Sequence, residues 1–116
     1  MIINKSNINQ FIKGSLLNCS NKSITSIEYI PEGITHLYCW DNQLTSLPNL
    51  PDSLISLDCW GNKLTSLPKL PEGLKYLNCT DNNLPYPITL KNLKEHNNRI
   101  KLINRSETIK KIYAYR

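Results

Sequence analysis

Residues 34–53 read ITHLYCWDNQLTSLPNLPDS, and residues 54–73 read LISLDCWGNKLTSLPKLPEG. The two segments are identical at eleven of their twenty positions. A looser copy begins at Gly14, and a fourth begins at Leu74 but diverges after its first half. Self-similarity at a fixed period of this size is typical of proteins whose sequence units are structural units stacked on one another. The period of twenty therefore predicts a repeat solenoid of about four units over residues 14–85.

The first half of each unit follows the pattern LxxLxCxxNxL. Alternating Leu and Cys side chains suit a short strand that points them into the interior, after which the chain must turn. Asn42, Asn62 and Asn82 stand at that turn. An Asn side chain there can bond to the backbone of the neighbouring unit and satisfy buried amide and carbonyl groups that the turn leaves without partners. The first unit has Lys22 at this position, which marks it as a cap.

The second half of each central unit, LTSLPxLPxx, carries two prolines. They are Pro48 and Pro51 in one unit, and Pro68 and Pro71 in the next. Proline fixes φ, lacks an N–H and biases the preceding residue toward extended geometry. We therefore expect this half to run as an extended, polyproline-like arm on the convex side of the solenoid, with no regular helix.

These units resemble the LPX subclass of leucine-rich repeats, which occurs in bacterial type III effectors such as Yersinia outer protein M and the invasion-plasmid-antigen ubiquitin ligases. Similar units occur in leucine-rich-repeat proteins of amoeba-infecting giant viruses, which the Asn, Ile and Lys bias also resembles. The resemblance implies an α/β repeat solenoid with a parallel β-sheet on the concave face, extended convex arms and helical caps. Such repeats are reused for many partners. The catalytic domain of the effector ligases has no counterpart in 116 residues, so ligase activity is not carried over.

The two flanks of the repeat region are predicted to close the ends of the solenoid. Residues 1–13 have an apolar side and form the N-terminal cap, with Ser6 as a candidate helix cap and Gly14 as a candidate stop. Residues 86–116 form a basic C-terminal cap, in which four apolar residues near helical spacing predict a helix over the last unit. These four are Leu90, Leu93, Ile100 and Ile103. The final segment SETIKKIYAYR fits either one more short helix after Ser106 or a strand.

Basic charge is concentrated at the end of the chain. Residues 1–90 hold six Lys against seven Asp and Glu, whereas residues 91–116 hold eight Lys and Arg against two Glu. The chain shows no secretory signal, and no stretch approaches the ~18 apolar residues of a membrane helix. We expect one domain in the cytoplasm, or in the host cytoplasm for a viral or effector protein, without membrane contact.

Four cysteines, Cys19, Cys39, Cys59 and Cys79, recur every twenty residues. At equivalent inward positions they would form a ladder with a spacing of ~4.8 Å, the distance between strands. A tetrahedral zinc site needs four sulfurs that converge on one point, which a straight ladder does not provide. The spacing also exceeds the Cβ separation of a disulfide, ~3.8 Å. We therefore expect reduced core thiols and no metal site.

The sequence does not assemble a catalytic site. His36 and His96 lie sixty positions apart, no nucleophile motif is present, and four glycines include no phosphate-binding loop. Asp58 and Cys59 are neighbours whose side chains point to opposite faces of a strand. We therefore expect a protein without enzymatic activity and without a cofactor.

Strand alternation sends a different set of side chains outward, onto the concave sheet. Trp40 and Trp60 occupy equivalent places on adjacent units, where the two indoles can stack while leaving an apolar surface for a ligand. We name this surface the aromatic face. Its predicted partner-binding residues are Trp40, Trp60, Tyr38, His36, Asp58, Tyr76 and Asn78. Aromatic residues dominate interface hot spots, and Asp41, Asp58 and Asp81 make the face mildly acidic, so a protein partner suits it better than nucleic acid.

Two other interpretations stay open. The basic C-terminal segment, through Lys94, Arg99, Lys110 and Lys111, is an alternative site for nucleic acid or an acidic surface. Its basic residues are also consistent with the solvated outer side of a capping helix. Alternatively, the aromatic face pairs with its own copy, giving a weak homodimer instead of a monomer that binds a different protein.

Overall fold

Seven short strands and one long helix make up the computed structural model of the chain, which describes residues 1–114, with side chains up to Lys111. The strands are β1 (Ile2–Ile3), β2 (Ile12–Lys13), β3 (Leu16–Asn18), β4 (Ser26–Ile27), β5 (His36–Tyr38), β6 (Ser56–Asp58) and β7 (Tyr76–Asn78), and the helix is α1 (Leu93–Ala114). A five-stranded sheet has the order β2-β3-β5-β6-β7, in which β2 and β3 are antiparallel and the other neighbours parallel. β1 and β4 form a separate parallel pair. The architecture is mixed α/β.

The parallel strands pair residues that lie twenty positions apart in the sequence. Leu17, Leu37, Leu57 and Leu77 stand opposite one another across four neighbouring strands. The first three are fully buried and Leu77 is half-buried, and the cysteine two positions after each of them is buried too. The sequence period is thus the period of strand pairing, and the predicted inward positions of Leu and Cys are confirmed.

Three Asn side chains connect the turns that follow neighbouring strands. They are Asn42, Asn62 and Asn82. The Asn62 amide nitrogen donates to the carbonyl oxygens of Cys39 at 3.0 Å and Cys59 at 3.1 Å, while its side-chain oxygen accepts from the Leu44 N–H at 3.0 Å. The other two make the equivalent bonds at their own turns. The predicted pairing of these side chains with the neighbouring backbone is confirmed.

A residue with positive φ directly precedes each of these three Asn residues and also Lys22, which stands at the equivalent place in the first unit. The four residues are Asn21 at 53°, Asp41 at 54°, Gly61 at 69° and Asp81 at 55°. Gly, Asn and Asp are the residue types that adopt the left-handed region most readily. The four turns therefore share one backbone geometry despite their different side chains.

The proline-containing arms hold no helix, as predicted. Residues 44–55 and 64–75 contain neither helix nor strand. Each arm ends in a tight turn, in which the Leu54 N–H donates to the Pro51 carbonyl at 3.1 Å and the Leu74 N–H donates to the Pro71 carbonyl at 3.2 Å. Leucines of the arms, including Leu67, are buried against the sheet. The core thus lies between the sheet and the arms.

The N-terminal cap differs from the helical prediction. β1 pairs with β4 and β2 folds back on β3, so strand pairing at both ends of this segment prevents it from forming one helix. Between the two strands lies a single 3-10 turn, Ile8–Phe11, whose N-cap is Asn7, and the predicted cap at Ser6 is wrong. Gly14 has a φ of 59° in the turn between β2 and β3, where it reverses the chain. The buried Ile3 anchors the segment to the core.

The C-terminal cap is one continuous helix of 22 residues. The segment SETIKKIYAYR continues α1 through Ala114, so it is neither a strand nor a separate helix, and its last two residues lie outside the described part. Leu93 is buried, but Leu90 is 42% exposed and Ile103 is 56% exposed. Ile100 is half-buried. The prediction of an apolar stripe over the last unit is therefore wrong at Leu90 and Ile103.

Hydrogen bonds of polar side chains attach the start of α1 to the rest of the protein instead. His96 is 1% exposed; its Nε2–H donates to the Pro68 carbonyl at 2.9 Å, and the Tyr86 hydroxyl lies 2.8 Å from its Nδ1. A carbonyl oxygen can only accept, so Nε2 carries the proton, and in a neutral ring Nδ1 accepts from Tyr86. Asn97 bonds both backbone groups of Leu70 at 2.8 Å. The helix is thereby held against the proline arm that contains Pro68 and Leu70.

We predict that Asn62→Ala lowers the free energy of unfolding by about 1–3 kcal/mol for each buried backbone group that it leaves unpaired. Chemical denaturation of the variant and the parent measures this loss. Asn83→Ala is the control, because Asn83 is exposed and its side chain makes no hydrogen bond within the described residues. Equal stability of the parent and Asn62→Ala would contradict the structural role of this turn.

We also predict that His96→Ala loosens α1 from the arm and costs on the order of 1–3 kcal/mol, since the Pro68 carbonyl and the Tyr86 hydroxyl lose their buried partner. Circular dichroism during thermal unfolding should show helix signal lost before the sheet melts. Asn98→Ala, at an exposed neighbouring helix position, should leave the melting curve unchanged. Parent-like melting of His96→Ala would mean that the helix is held by other contacts.

Candidate functional site

The aromatic face is the exposed side of the sheet formed by β3, β5, β6 and β7. Trp40 and Trp60 follow the ends of β5 and β6 and are 37% and 40% exposed, and Tyr76 on β7 is 50% exposed. The other four predicted partner-binding residues are half-buried and lie on the same strands. They are His36, Tyr38, Asp58 and Asn78. The structure thus brings all seven predicted residues onto one surface.

Not every outward position of this face is accessible. Ser56, between His36 and Tyr76 in the sheet register, is only 7% exposed, because larger neighbours cover it. Ser20 is 8% exposed, and its hydroxyl has no hydrogen-bond partner among the described residues. The surface that a partner can contact is therefore provided by the aromatic and charged residues.

The aromatic rings are arranged differently from the stacked pair that the sequence suggested. Within the part of the chain that the structure describes, the indoles of Trp40 and Trp60 do not stack. His36 packs edge-on against Tyr38 instead, with ring centroids 6.2 Å apart and an interplanar angle of 88°. The Thr35 hydroxyl lies 2.8 Å from His36 Nδ1 and holds the imidazole from the other side. Each indole consequently offers its own surface to a ligand.

One outward position of the strands, occupied by Asn18, Tyr38, Asp58 and Asn78, influences the backbone conformation of the turn that follows each strand. Asp58 Oδ1 accepts from the Trp60 N–H at 3.1 Å, two residues further along the chain. Asn18 and Asn78 make the same bond to Ser20 and Thr80 at the same distance. Short side chains of this type commonly close such local turns. In the second unit Tyr38 occupies the position, and the turn is made without this bond.

Two shallow cavities open on this face. One, of about 380 Å³, lies over β5, β6 and the start of β7 and is lined by His36, Tyr38, Ile55, Ser56, Asp58, Lys75 and Tyr76. The other, of about 490 Å³, lies beside Trp40 over the N-terminal strands and is lined by Gln10, Phe11, Lys13, Leu16, Asn18, Ser20, Lys22 and Trp40. We name the first the Asp58 cavity. It gathers four of the seven predicted residues around one carboxylate.

Sequence reasoning missed Ile55 and Lys75 as part of this site. Both precede a strand, where the strict alternation of inward and outward side chains does not yet apply. The N–H groups of Lys75 and Tyr76 both donate to the Ile55 carbonyl, at 2.7 and 3.1 Å, which sets the two chains side by side. The sequence could have indicated that the two residues are neighbours only through the repeat period, since Lys75 lies twenty positions after Ile55.

The four cysteines are buried free thiols, as predicted. Burial raises the pKa of the Cys19 thiol to about 12, with Lys22 opposing the shift weakly. The pKa of Cys39 and that of Cys59 are also raised, chiefly by burial and further by the adjacent cysteines. Because the thiolate is the reactive form, these shifts make the sulfurs poor nucleophiles at neutral pH.

We predict that a thiol reagent such as dithionitrobenzoate labels none of the cysteines in the native protein at pH 7 and all four after denaturation. Because burial raises the pKa of these thiols in the folded state, they stay protonated through neutral pH. The contribution of the buried thiols to stability is lost only as the pH rises above the pKa of an ordinary thiol. Rapid native labelling of Cys39 or Cys59 would overturn the assignment of inward positions.

The alternative basic site does not form one patch. Lys94, Arg99, Lys110 and Lys111 are all exposed on α1. At 100° per residue, Arg99 and Lys110 share one side of the helix while the other two lie on different sides, and the set spans roughly 25 Å of helix length. Arg99 already pairs with Glu95 at 3.5 Å and stacks over Tyr86 at 4.4 Å, and Lys110 lies 3.9 Å from Glu107. These contacts reduce the positive charge that Arg99 and Lys110 can offer.

Comparison of the chain with protein-family models and with curated protein sequences finds no match. Among the described residues, no group of three or more His, Cys, Asp or Glu side chains is placed to hold a metal ion. No helix in the described part is long and apolar enough to cross a membrane.

Proposed function

We propose that the chain is a leucine-rich-repeat solenoid of the LPX type and that its aromatic face, the concave side of the solenoid, binds a partner protein without catalysing a reaction. The observation that carries this proposal is the exposure of Trp40 and Trp60 on adjacent turns of one sheet. Leaving two indoles more than one-third exposed is unfavourable in water. A partner that covers them gains the free energy of burying them.

The strand register supports the solenoid part of the proposal. Parallel pairing at a spacing of twenty residues, a line of Asn side chains between turns and helix-free proline arms agree with the architecture that the sequence resemblance implies. An aromatic surface on a sheet fixed in this way is pre-organised. Binding then costs little conformational entropy.

The composition of the aromatic face favours a protein over nucleic acid. Interfaces between proteins are enriched in Trp and Tyr at their centre, with polar groups around them. Here Trp40, Trp60 and Tyr76 are surrounded by half-buried polar residues, and the carboxylates at or beside the face would repel phosphates. The Asn-, Ile- and Lys-rich composition, together with the resemblance, fits a viral or effector-like protein that acts on a host protein in the cytoplasm.

The two alternative functions require different residues. Binding of nucleic acid or an acidic surface requires Lys94, Arg99, Lys110 and Lys111, and their dispersion around α1 weakens that alternative. Self-association requires the aromatic face to cover its own copy. Sedimentation over a range of protein concentrations separates a self-associating module from a monomer that binds a different protein.

We predict that replacing both Trp40 and Trp60 by Ala abolishes most partner capture and leaves folding intact. Loss of one central aromatic hot spot costs ~2 kcal/mol or more, roughly 30-fold in affinity, and the pair should cost more than either alone. Melting temperature and quantitative capture from host lysate are measured side by side.

The matched control neutralises the helix charges through Lys94→Gln, Arg99→Gln, Lys110→Gln and Lys111→Gln in one variant. That variant should capture the same proteins as the parent. Retained capture by the tryptophan variant, with loss in the helix variant, would transfer the binding site from the aromatic face to α1.

A further inference from the structure

The geometry points to the Asp58 cavity as the receptor for one arginine side chain of the partner, an inference that rests on the proposed function of the aromatic face. The cavity combines a carboxylate with two tyrosine rings on a rigid sheet. Its floor is the strand β6, and its walls come from the strands on either side.

The negative charge of Asp58 is not needed for the fold. The only hydrogen bond of its side chain within the described residues is the one that Oδ1 accepts from the Trp60 N–H at 3.1 Å. Asn18 and Asn78 close the equivalent turns at the same distance with a neutral amide. An amide oxygen therefore suffices for the backbone, and the charge is available for another purpose.

Among residues 1–111, no cation pairs with this carboxylate. Asp58 forms no ion pair among residues 1–111, and its second oxygen makes no hydrogen bond there. It is half-buried on the sheet and not on a mobile surface loop. A guanidinium binds a carboxylate with two parallel hydrogen bonds, which requires such a fixed and accessible pair of oxygens.

Aromatic rings next to the carboxylate favour arginine over lysine. Tyr38 stands directly opposite Asp58 on β5, and Tyr76 lies on β7, opposite the residue two positions before Asp58. The edge-on contact with His36 limits movement of the Tyr38 ring. The planar guanidinium stacks on aromatic rings while it pairs with a carboxylate, whereas an ammonium is a compact and strongly hydrated charge.

Lys75 sets the polarity of the cavity. It pairs with Ile55, three residues before Asp58 in the register, which places its backbone about 10 Å along the strand direction from Asp58. Because Lys75 also lines the cavity, it would repel further cations, so a single cation beside Asp58 suits the cavity better than a run of basic residues does. The cavity therefore selects an isolated arginine followed by neutral or acidic groups.

The test uses the full chain and two probe peptides, acetyl-Gly-Arg-Gly-amide and the same peptide with citrulline, which replaces the guanidinium by a neutral urea of similar shape. Binding is followed by the ¹H and ¹⁵N shifts of the Trp60 backbone amide, which bonds to Asp58, and of the two indole N–H groups. We expect saturable shifts with the arginine peptide and at least tenfold weaker binding of the citrulline peptide.

The decisive variant is Asp58→Asn, which retains the turn as Asn18 and Asn78 do and removes only the charge. It should melt like the parent and bind the arginine peptide at least tenfold more weakly. Lys75→Gln should bind more tightly, and Glu28→Gln, which removes one negative charge from the exposed position after β4, should bind like the parent. Parent-like binding by Asp58→Asn, equal binding of citrulline, or the absence of saturable shifts would overturn the arginine assignment.

The outcomes separate this inference from the proposed function. If the tryptophan double variant loses its partner while Asp58→Asn still binds the arginine peptide as the parent does, the aromatic face binds a protein without the proposed arginine contact. If Asp58→Asn loses the peptide but the tryptophan variant keeps its partner, the cavity recognises arginine and the indole-centred function is wrong.

Discussion

Side-chain amides at three successive turns, those of Asn42, Asn62 and Asn82, hold the neighbouring strands of this protein together. Strands of three residues form few hydrogen bonds with their neighbours, and each is followed by a turn whose inward backbone groups have no partner in the sheet. Asn62 offers a donor and an acceptor on one short side chain, so it binds carbonyls on two turns and an amide on the preceding one. Because a buried unpaired group costs about 1–3 kcal/mol, this arrangement fixes the spacing between units as well as their stability.

The fixed interior explains why the exposed columns can differ so widely. Inward Leu and Cys recur at all four parallel strands and a bonded Asn follows three of them, so most outward positions are not required for the interior. The column that contains Asn18, Tyr38, Asp58 and Asn78 is an instructive exception, since three of its members bond a backbone amide and Tyr38 does not. Tyr38 shows that this position can lack the local hydrogen bond, and Asp58 shows that it can carry a charge that the bond does not require. Both residues lie on the aromatic face.

The sequence predicted those features that follow from the twenty-residue period. Asn62, the buried cysteines, the helix-free arms and the placement of Trp40 and Trp60 all follow from repeating one pattern with one alternation of side chains. The ends do not repeat, and there the prediction was less accurate. Residues 2–3 and 12–13 form strands because pairing partners lie nearby in space, which local propensity cannot reveal. The burial of His96 was not predicted, because its two partners, Tyr86 and Pro68, lie 10 and 28 positions before it in the sequence. Lys75 lies beside Ile55 just before the strands begin, so the alternation of side chains along a strand did not predict its place in the site.

The left-handed turn that recurs at residues 21, 41, 61 and 81 has a consequence for how such a chain can change in evolution. The backbone has the same conformation after each of these four strands. A segment that begins and ends at two such turns therefore has the same backbone geometry at both ends. Recombination between the coding segments of two units would then lengthen or shorten the sheet by one strand while leaving every remaining junction in its former geometry. A binding surface built on this frame can grow in steps of one strand and acquire new contacts without a change in the interior.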